Sequence, residues 1–182
     1  MRWNYLIAGA TAAIVGSTSG HATTYMTPAQ ARVAMFPSAA SFIDRNVVLT
    51  PQQRSVVQKI AGIPVRAPKI MAWEAVDAAG KRLGWVIVDR VLGKHEFVTF
   101  ALALDAGGAI KGIEVLDYRE TYGDQIRNLK WRAQFTGKRH GATLQLDKDI
   151  KNISGATLSC RHVTDGVKRL LATYDAVLSD HG

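Results

Sequence analysis

Leu83-Gly84-Trp85-Val86-Ile87-Val88-Asp89 is the stretch that decides the fold. Successive side chains of a strand point to opposite faces, and here both sets are apolar: Leu83, Trp85 and Ile87 on one, Val86 and Val88 on the other. Such a strand belongs in the middle of a sheet covered on both sides by helices. Its neighbours share the β-branched and aromatic character: Ile70 to Val76 before it, Phe97 to Leu104 and Ile110 to Leu116 after it. Turn-rich connectors, Ala78-Ala79-Gly80-Lys81 and Asp105-Ala106-Gly107-Gly108, join the first pair and the last pair as antiparallel hairpins. The fold class is therefore α+β, a mainly antiparallel sheet with helices packed on it.

The covering helices can be read on either side of these strands. Thr27-Pro28-Ala29-Gln30 and Thr50-Pro51-Gln52-Gln53 each set a Thr cap, a Pro at the first helical position and a Gln three residues after the cap. Both are capping boxes. The first helix ends at Phe36-Pro37; the second carries Val56, Val57 and Ile60 and stops at Gly62-Ile63-Pro64, so the two form an N-terminal layer. After the strands, Ile126, Leu129 and Ala133 share a helical face, with Gly137 as the stop, and Ala142 to Leu146 reads as a short further strand. The clearest helix is the last. Val163, Val167, Leu170, Leu171, Tyr174, Val177 and Leu178 form one apolar stripe that must pack on the sheet.

At 182 residues, 47% hydrophobic and 21% charged, the chain suffices for one sizeable core. Its first segment reads differently. Arg2 precedes an uncharged, mostly small and apolar run from Leu6 to Ser19, too short to span a bilayer, and Gly20-His21-Ala22 has the small residues of a cleavage site after Ala22. Residues 1–22 are thus expected to be a signal peptide, residues 23–69 a helical extension and residues 70–182 the main domain, exported to the periplasm; an uncleaved leader would make the chain membrane-anchored. The net charge of +8 is scattered and no basic stripe forms, which argues against nucleic acid and for a solvated face or an acidic redox partner. A single cysteine, Cys160, excludes an intrachain disulfide. Gly93-Lys94-His95-Glu96 is read as a polar turn, with His95 facing solvent, and no metal ligands recur at zinc spacing.

Chemistry concentrates in Ser154-Gly155-Ala156-Thr157-Leu158-Ser159, directly before the last helix. Gly155 permits a backbone turn closed to other residues, and free N–H groups at a helix start attract anions such as phosphate. On local grounds alone the hydroxyls are better explained as capping and turn residues. A serine-hydrolase elbow lacks its second glycine, and the P-loop spacing is absent.

The Ser154 to Thr157 stretch resembles the flavinylation motif of FMN-binding domains, the family that includes the C subunit of sodium-translocating NADH:quinone reductase and the G subunit of the Rnf complex. A second match supports it. Glu120-Thr121-Tyr122-Gly123, a helix with Trp131, then Phe135-Thr136-Gly137-Lys138 resembles the family's flavin-contacting Glu-Thr-Pro-Gly loop and the segment after it. Tyr122 stands in place of the usual proline, Gln125 of a second glycine, and Lys151 of an Asp, with Asp149 nearby. The resemblance implies FMN joined by a phosphoester to Thr157, taken from FAD by a separate flavin transferase. It also implies a cofactor site of Ser154, Gly155, Ala156, Ser159, Glu120, Thr121 and Gly123, with Ser159 at the phosphate. No catalytic residue and no metal site are expected. Trp85 and Trp131 are read as core residues before ring-stacking ones.

The function so implied is an exported electron-transfer flavoprotein between a protein electron donor and acceptor, membrane-bound partners included. The alternatives are a periplasmic flavin-dependent reductase of a small acceptor and a non-redox binding or sensor module of the same fold.

Overall fold

The computed structural model describes residues 23–120 and 123–179; the expected leader, 1–22, lies outside them. In chain order the elements are β1 (Thr23–Thr24), α1 (Pro28–Met35), β2 (Ser41–Asp44), β3 (Val47–Val48), α2 (Pro51–Ala61), β4 (Lys69–Val76), β5 (Arg82–Leu92), β6 (Phe97–Asp105), β7 (Ile110–Tyr118), a 3-10 turn (Asp124–Arg127), α3 (Leu129–Ala133) and α4 (Thr157–Thr173), extended by a π-helical turn (Tyr174–Leu178). The sheet order is β1-β7-β6-β5-β4-β2, with β3 also on β4, and every pairing is antiparallel. As the apolar alternation requires, β5 lies between β4 and β6 in the interior of the sheet.

Two cores follow from the alternation. Trp85, Ile87 and Val91 of β5 meet Val98, Phe100, Leu102 and Leu104 of β6 on the face that α4 covers with Val163, Val167, Leu170 and Leu171. On the other face Val86 and Val88 join Ala101, Ala103 and Leu116 beneath Ala31 and Phe36 of the α1 segment. Burying one such Val, Leu, Ile or Phe side chain stabilises by about 1.5–3 kcal/mol, so both layers are strongly held.

Several expectations are corrected. The first two helices do not form one layer: α1 covers one face, whereas Val57 and Ala61 of α2 join the α4 core on the other. Both capping boxes are present. Within α2 the buried pair is Val57 and Ala61, while Val56 and Ile60 are exposed, because contact with α4 selects the face. The stretch read as a helical extension also supplies strands. Ser41–Asp44 pairs with Trp73 to Val76, and Val47–Val48 pairs with Lys69 and Ile70. Leu129 and Ala133 are exposed and share no face with buried Ile126, since the chain breaks at Asn128, whose side chain caps the Lys130 N–H at 2.8 Å. Ala142 to Leu146 forms no strand, only an isolated bridge from Leu146 to Ile150. The Asp149 carboxylate takes the N–H groups of Leu144 (3.1 Å) and Gln145 (2.8 Å), and Leu144 and Asp147 sit at left-handed φ, so no ladder can continue. No helix among the described residues is long and apolar enough to cross a membrane.

Buried Glu74 links the edge of the sheet to the N-terminal segment. Its carboxylate accepts from Arg45 Nε and Nη2 at 3.0 and 2.9 Å and from Arg82 Nε at 2.6 Å. Burial pushes its pKa up, but the two guanidiniums outweigh that and hold it below the ordinary value. A lowered folded-state pKa means the stabilisation is present above the ordinary carboxylate range and is lost as pH falls through the lowered value. Glu74→Gln is expected to cost about 1–3 kcal/mol at neutral pH, half-exposed Arg45 being partly screened. It should also flatten part of the stability loss between neutral pH and about pH 3. Denaturant titrations of both proteins across that range check it.

Candidate functional site

Four backbone segments meet at one end of the sheet. Strands β5 and β6 close through a tight turn in which the Gly93 N–H donates to the Glu96 carbonyl at 2.7 Å. Beside it β7 runs out through Tyr118 to Glu120, and the Glu120 Oε1 accepts the backbone N–H groups of His95 (2.6 Å) and Glu96 (3.0 Å). Burial works to raise the Glu120 pKa, yet the N–H groups of Glu96, His95 and Lys94 and the neighbouring His95 draw it below the ordinary value. Glu120 is thus a carboxylate at neutral pH, and it clips the hairpin tip to the end of β7.

The start of α4 is the third side. Gly155 turns the chain at φ 83, the Ala156 N–H donates to the Ile153 carbonyl at 3.0 Å, and the helix begins at Thr157. Ala156 is the N-cap and has no side chain to accept a hydrogen bond, so the first N–H groups of α4 have no side-chain cap. Ser159 is not the expected cap. It lies inside the first turn, buried, sharing a hydrogen bond of 3.2 Å with the Tyr118 hydroxyl. Thr157 is half-buried, and its Oγ1 accepts from Asn152 Nδ2 at 3.0 Å.

The fourth side is the segment after Glu120. Gly123, at φ 96, is wedged between the other two: a Cβ there would stand 2.5 Å from the Tyr118 hydroxyl and 3.3 Å from the Ala156 Cβ. The loop and the Ser154 to Thr157 stretch therefore touch. Trp131 secures the approach from below by donating its Nε1–H to the Lys151 carbonyl at 2.9 Å, and Gln134 Oε1 accepts the Lys151 N–H at 2.7 Å.

Between these segments lies a cleft of about 570 Å³ lined by Lys94, His95, Glu120, Gly123, Gln125, Gly155, Ala156, Thr157, Leu158 and Ser159. That volume is in the range of cofactor sites. Six of the eight residues expected from the sequence line it together: Glu120, Gly123, Gly155, Ala156, Thr157 and Ser159. Ser154 is exposed and does not line it, and Thr121 lies outside the described residues. Lys94, Gln125 and Leu158 join the lining although none was expected as a site residue, and His95, exposed in its turn as expected, also borders the cleft. The polar run Gly93 to Glu96 is the only trace of the hairpin pair in the sequence, since nothing in one dimension places a hairpin tip against a helix start.

Neither tryptophan lines the cleft. Trp131 packs edge-on to Phe135 with ring centroids 5.2 Å apart, and Trp85 does the same with Tyr174 at 6.0 Å. Cys160 is fully buried, and burial pushes its thiol pKa up, which keeps it protonated and inert. Burial likewise raises Tyr118, against the opposing pull of the Ser159 hydrogen bond, so its hydroxyl stays neutral.

Residues 93–172 match the sequence family described as the FMN-binding domain. That span runs from the hairpin tip through Glu120 and Gly123 to α4 and so contains every lining residue. No curated protein matches the chain. Among solved structures the fold is similar to NqrC of Shewanella oneidensis, with a TM-score of 0.53 and 18% identity over 80% of this chain and 88% of that one. It is also similar to the C subunit of the Na(+)-translocating NADH-quinone reductase of Parabacteroides distasonis, with a TM-score of 0.56 and 15% identity over 86% of each.

The wedge at Gly123 separates two kinds of glycine. Gly155 has nothing within 4 Å of an added Cβ, so Gly155→Ala meets only the left-handed backbone, at about 1–2 kcal/mol. Gly123→Ala meets that cost and two collisions, for about 2–4 kcal/mol. Equilibrium unfolding should rank them in that order; equal losses would mean that Gly123 is not clamped.

Proposed function

Residues 93–172 belong to the FMN-binding domain family, and on that premise we propose that the chain is an electron-transfer flavoprotein holding FMN through a phosphoester on Thr157. One observation carries the reading. Thr157 stands half-buried at an uncapped helix start, inside the cleft that also gathers Glu120 and Gly123.

The residues present fit the group. Oriented N–H groups and the positive end of α4 favour a phosphate beside Thr157, and Lys94 adds positive charge to the same cleft. Ser159, held by Tyr118, would contact the phosphate, and Glu120, Gly123, Gly155 and Ala156 would hold the flavin in the cleft; Ser154 and Thr121 are assigned to the site by the family resemblance alone. The flavin supplies one- and two-electron chemistry when bound. The chain's own work is to position it, limit water and keep a neutral tyrosine and an anionic glutamate at fixed places around it.

FAD is the source of the FMN, and a separate flavin transferase the agent. The leader fits this reading: with residues 1–22 removed after Ala22, the protein works in the periplasm, where covalent attachment stops a soluble cofactor from diffusing away. The FMN-binding domain extends over residues 70–182, and residues 23–69 brace it. The solved relative from Parabacteroides distasonis is a subunit of an NADH-quinone reductase, and by analogy a protein donor and a protein acceptor serve this chain, membrane-bound partners included.

Intact mass after co-expression with a flavin transferase tests the proposal. The expected result is a gain of one FMN less one water, abolished in Thr157→Ala. An unchanged mass, or a gain that persists in Thr157→Ala, overturns the assignment.

A further inference from the structure

Thr157 takes its orientation from a residue that belongs to neither motif. Asn152 Nδ2 donates to Thr157 Oγ1 at 3.0 Å. The amide is not free to turn over, because its Oδ1 accepts the adjacent Ile153 N–H at 2.8 Å, which leaves the nitrogen as the end presented to Thr157. The next residue back is fixed as well: Lys151 is held through its N–H by Gln134 and through its carbonyl by Trp131, at 2.7 and 2.9 Å. A line of hydrogen bonds therefore runs from α3 through Lys151 and Asn152 to the hydroxyl at the start of α4.

A threonine hydroxyl has one proton and two lone pairs. With Asn152 donating to one lone pair, the proton and the second lone pair are directed elsewhere, and that hydrogen bond selects between the two rotamers open to the β-branched side chain. We propose that Asn152 is the positioning residue for modification of Thr157, holding Oγ1 ready to accept the flavin phosphate. This rests on the reading of Thr157 as the attachment point. In the transfer a bond forms between Oγ1 and the phosphorus on the FMN side of FAD. The anhydride bond from that phosphorus to the AMP oxygen breaks, and AMP leaves with that oxygen and its electron pair. The hydroxyl proton passes to a base of the flavin transferase and on to solvent, and no electrons change hands. Asn152 stays neutral and takes no proton.

The experiment uses the full chain, flavin-free, as wild type, Asn152→Ala and Asn152→Asp, incubated with flavin transferase and FAD. Attachment is followed by intact mass at increasing concentrations of the acceptor protein. Asn152→Ala should lower the maximal rate about tenfold, the loss of roughly one well-made hydrogen bond, with the half-saturating concentration unchanged. Asn152→Asp keeps the shape but sets an ionisable group against Oγ1, so its maximal rate should show a pH inflection that the wild type lacks. A wild-type maximal rate for Asn152→Ala, or a loss confined to half-saturation, overturns the proposal. Should Asn152→Ala fold poorly, Asn152→Asp decides, and a wild-type pH profile in it overturns the proposal. No attachment to the wild-type chain overturns both this role and the reading of Thr157.

Discussion

Val163, Val167, Leu170 and Leu171 are sealed against the central strands, and this burial fixes where α4 begins. Four such side chains supply on the order of 6–12 kcal/mol of apolar burial before chain entropy is charged against it. Polar contacts then set the register. Arg169 pairs with Asp89 of β5, and His162 Nδ1 meets the Leu92 and Gly93 carbonyls at the hairpin tip. Because the helix cannot slide, Thr157 and Ser159 occupy one place relative to the sheet. That rigidity is what a cofactor site asks of its scaffold.

At the same end of the sheet, polar groups are shared between elements, so each residue fixes its neighbours. Glu120 is occupied by the β5–β6 turn, Tyr118 by Ser159, and Gly123 fills the space left between Tyr118 and Ala156. A carboxylate held by backbone N–H groups stays charged, whereas a buried tyrosine stays neutral. These shared contacts tie the walls of the cleft together, and the fold sets its electrostatics.

Much of this was legible from the sequence for physical reasons. The doubly apolar β5, the two hairpin connectors, both capping boxes and the stripe of α4 are local patterns tied to local geometry, and all are present. The two motif stretches were legible as well, and they do meet. What escaped depends on partners distant in sequence. The buried face of α2 was decided by α4, far along the chain, and the short β2 and β3 exist through pairing with β4. Lys94 and His95 reach the cleft only because a hairpin folds over to Glu120. Local competition misled in another case: the Asp149 side chain captures backbone groups that a strand from Ala142 to Leu146 would have needed.

In the proposed reading the flavin phosphate is carried by one hydroxyl, that of Thr157, although Ser154 and Ser159 lie within a few residues. Trypsin cuts after Lys151 and Arg161, so all three fall in a single peptide, residues 152–161. Fragmentation of that peptide from flavinylated protein is the direct measurement. The expected result is the flavin mass on Thr157, with Ser154 and Ser159 unmodified. Flavin mass on either serine, or on a different peptide, would contradict the claim.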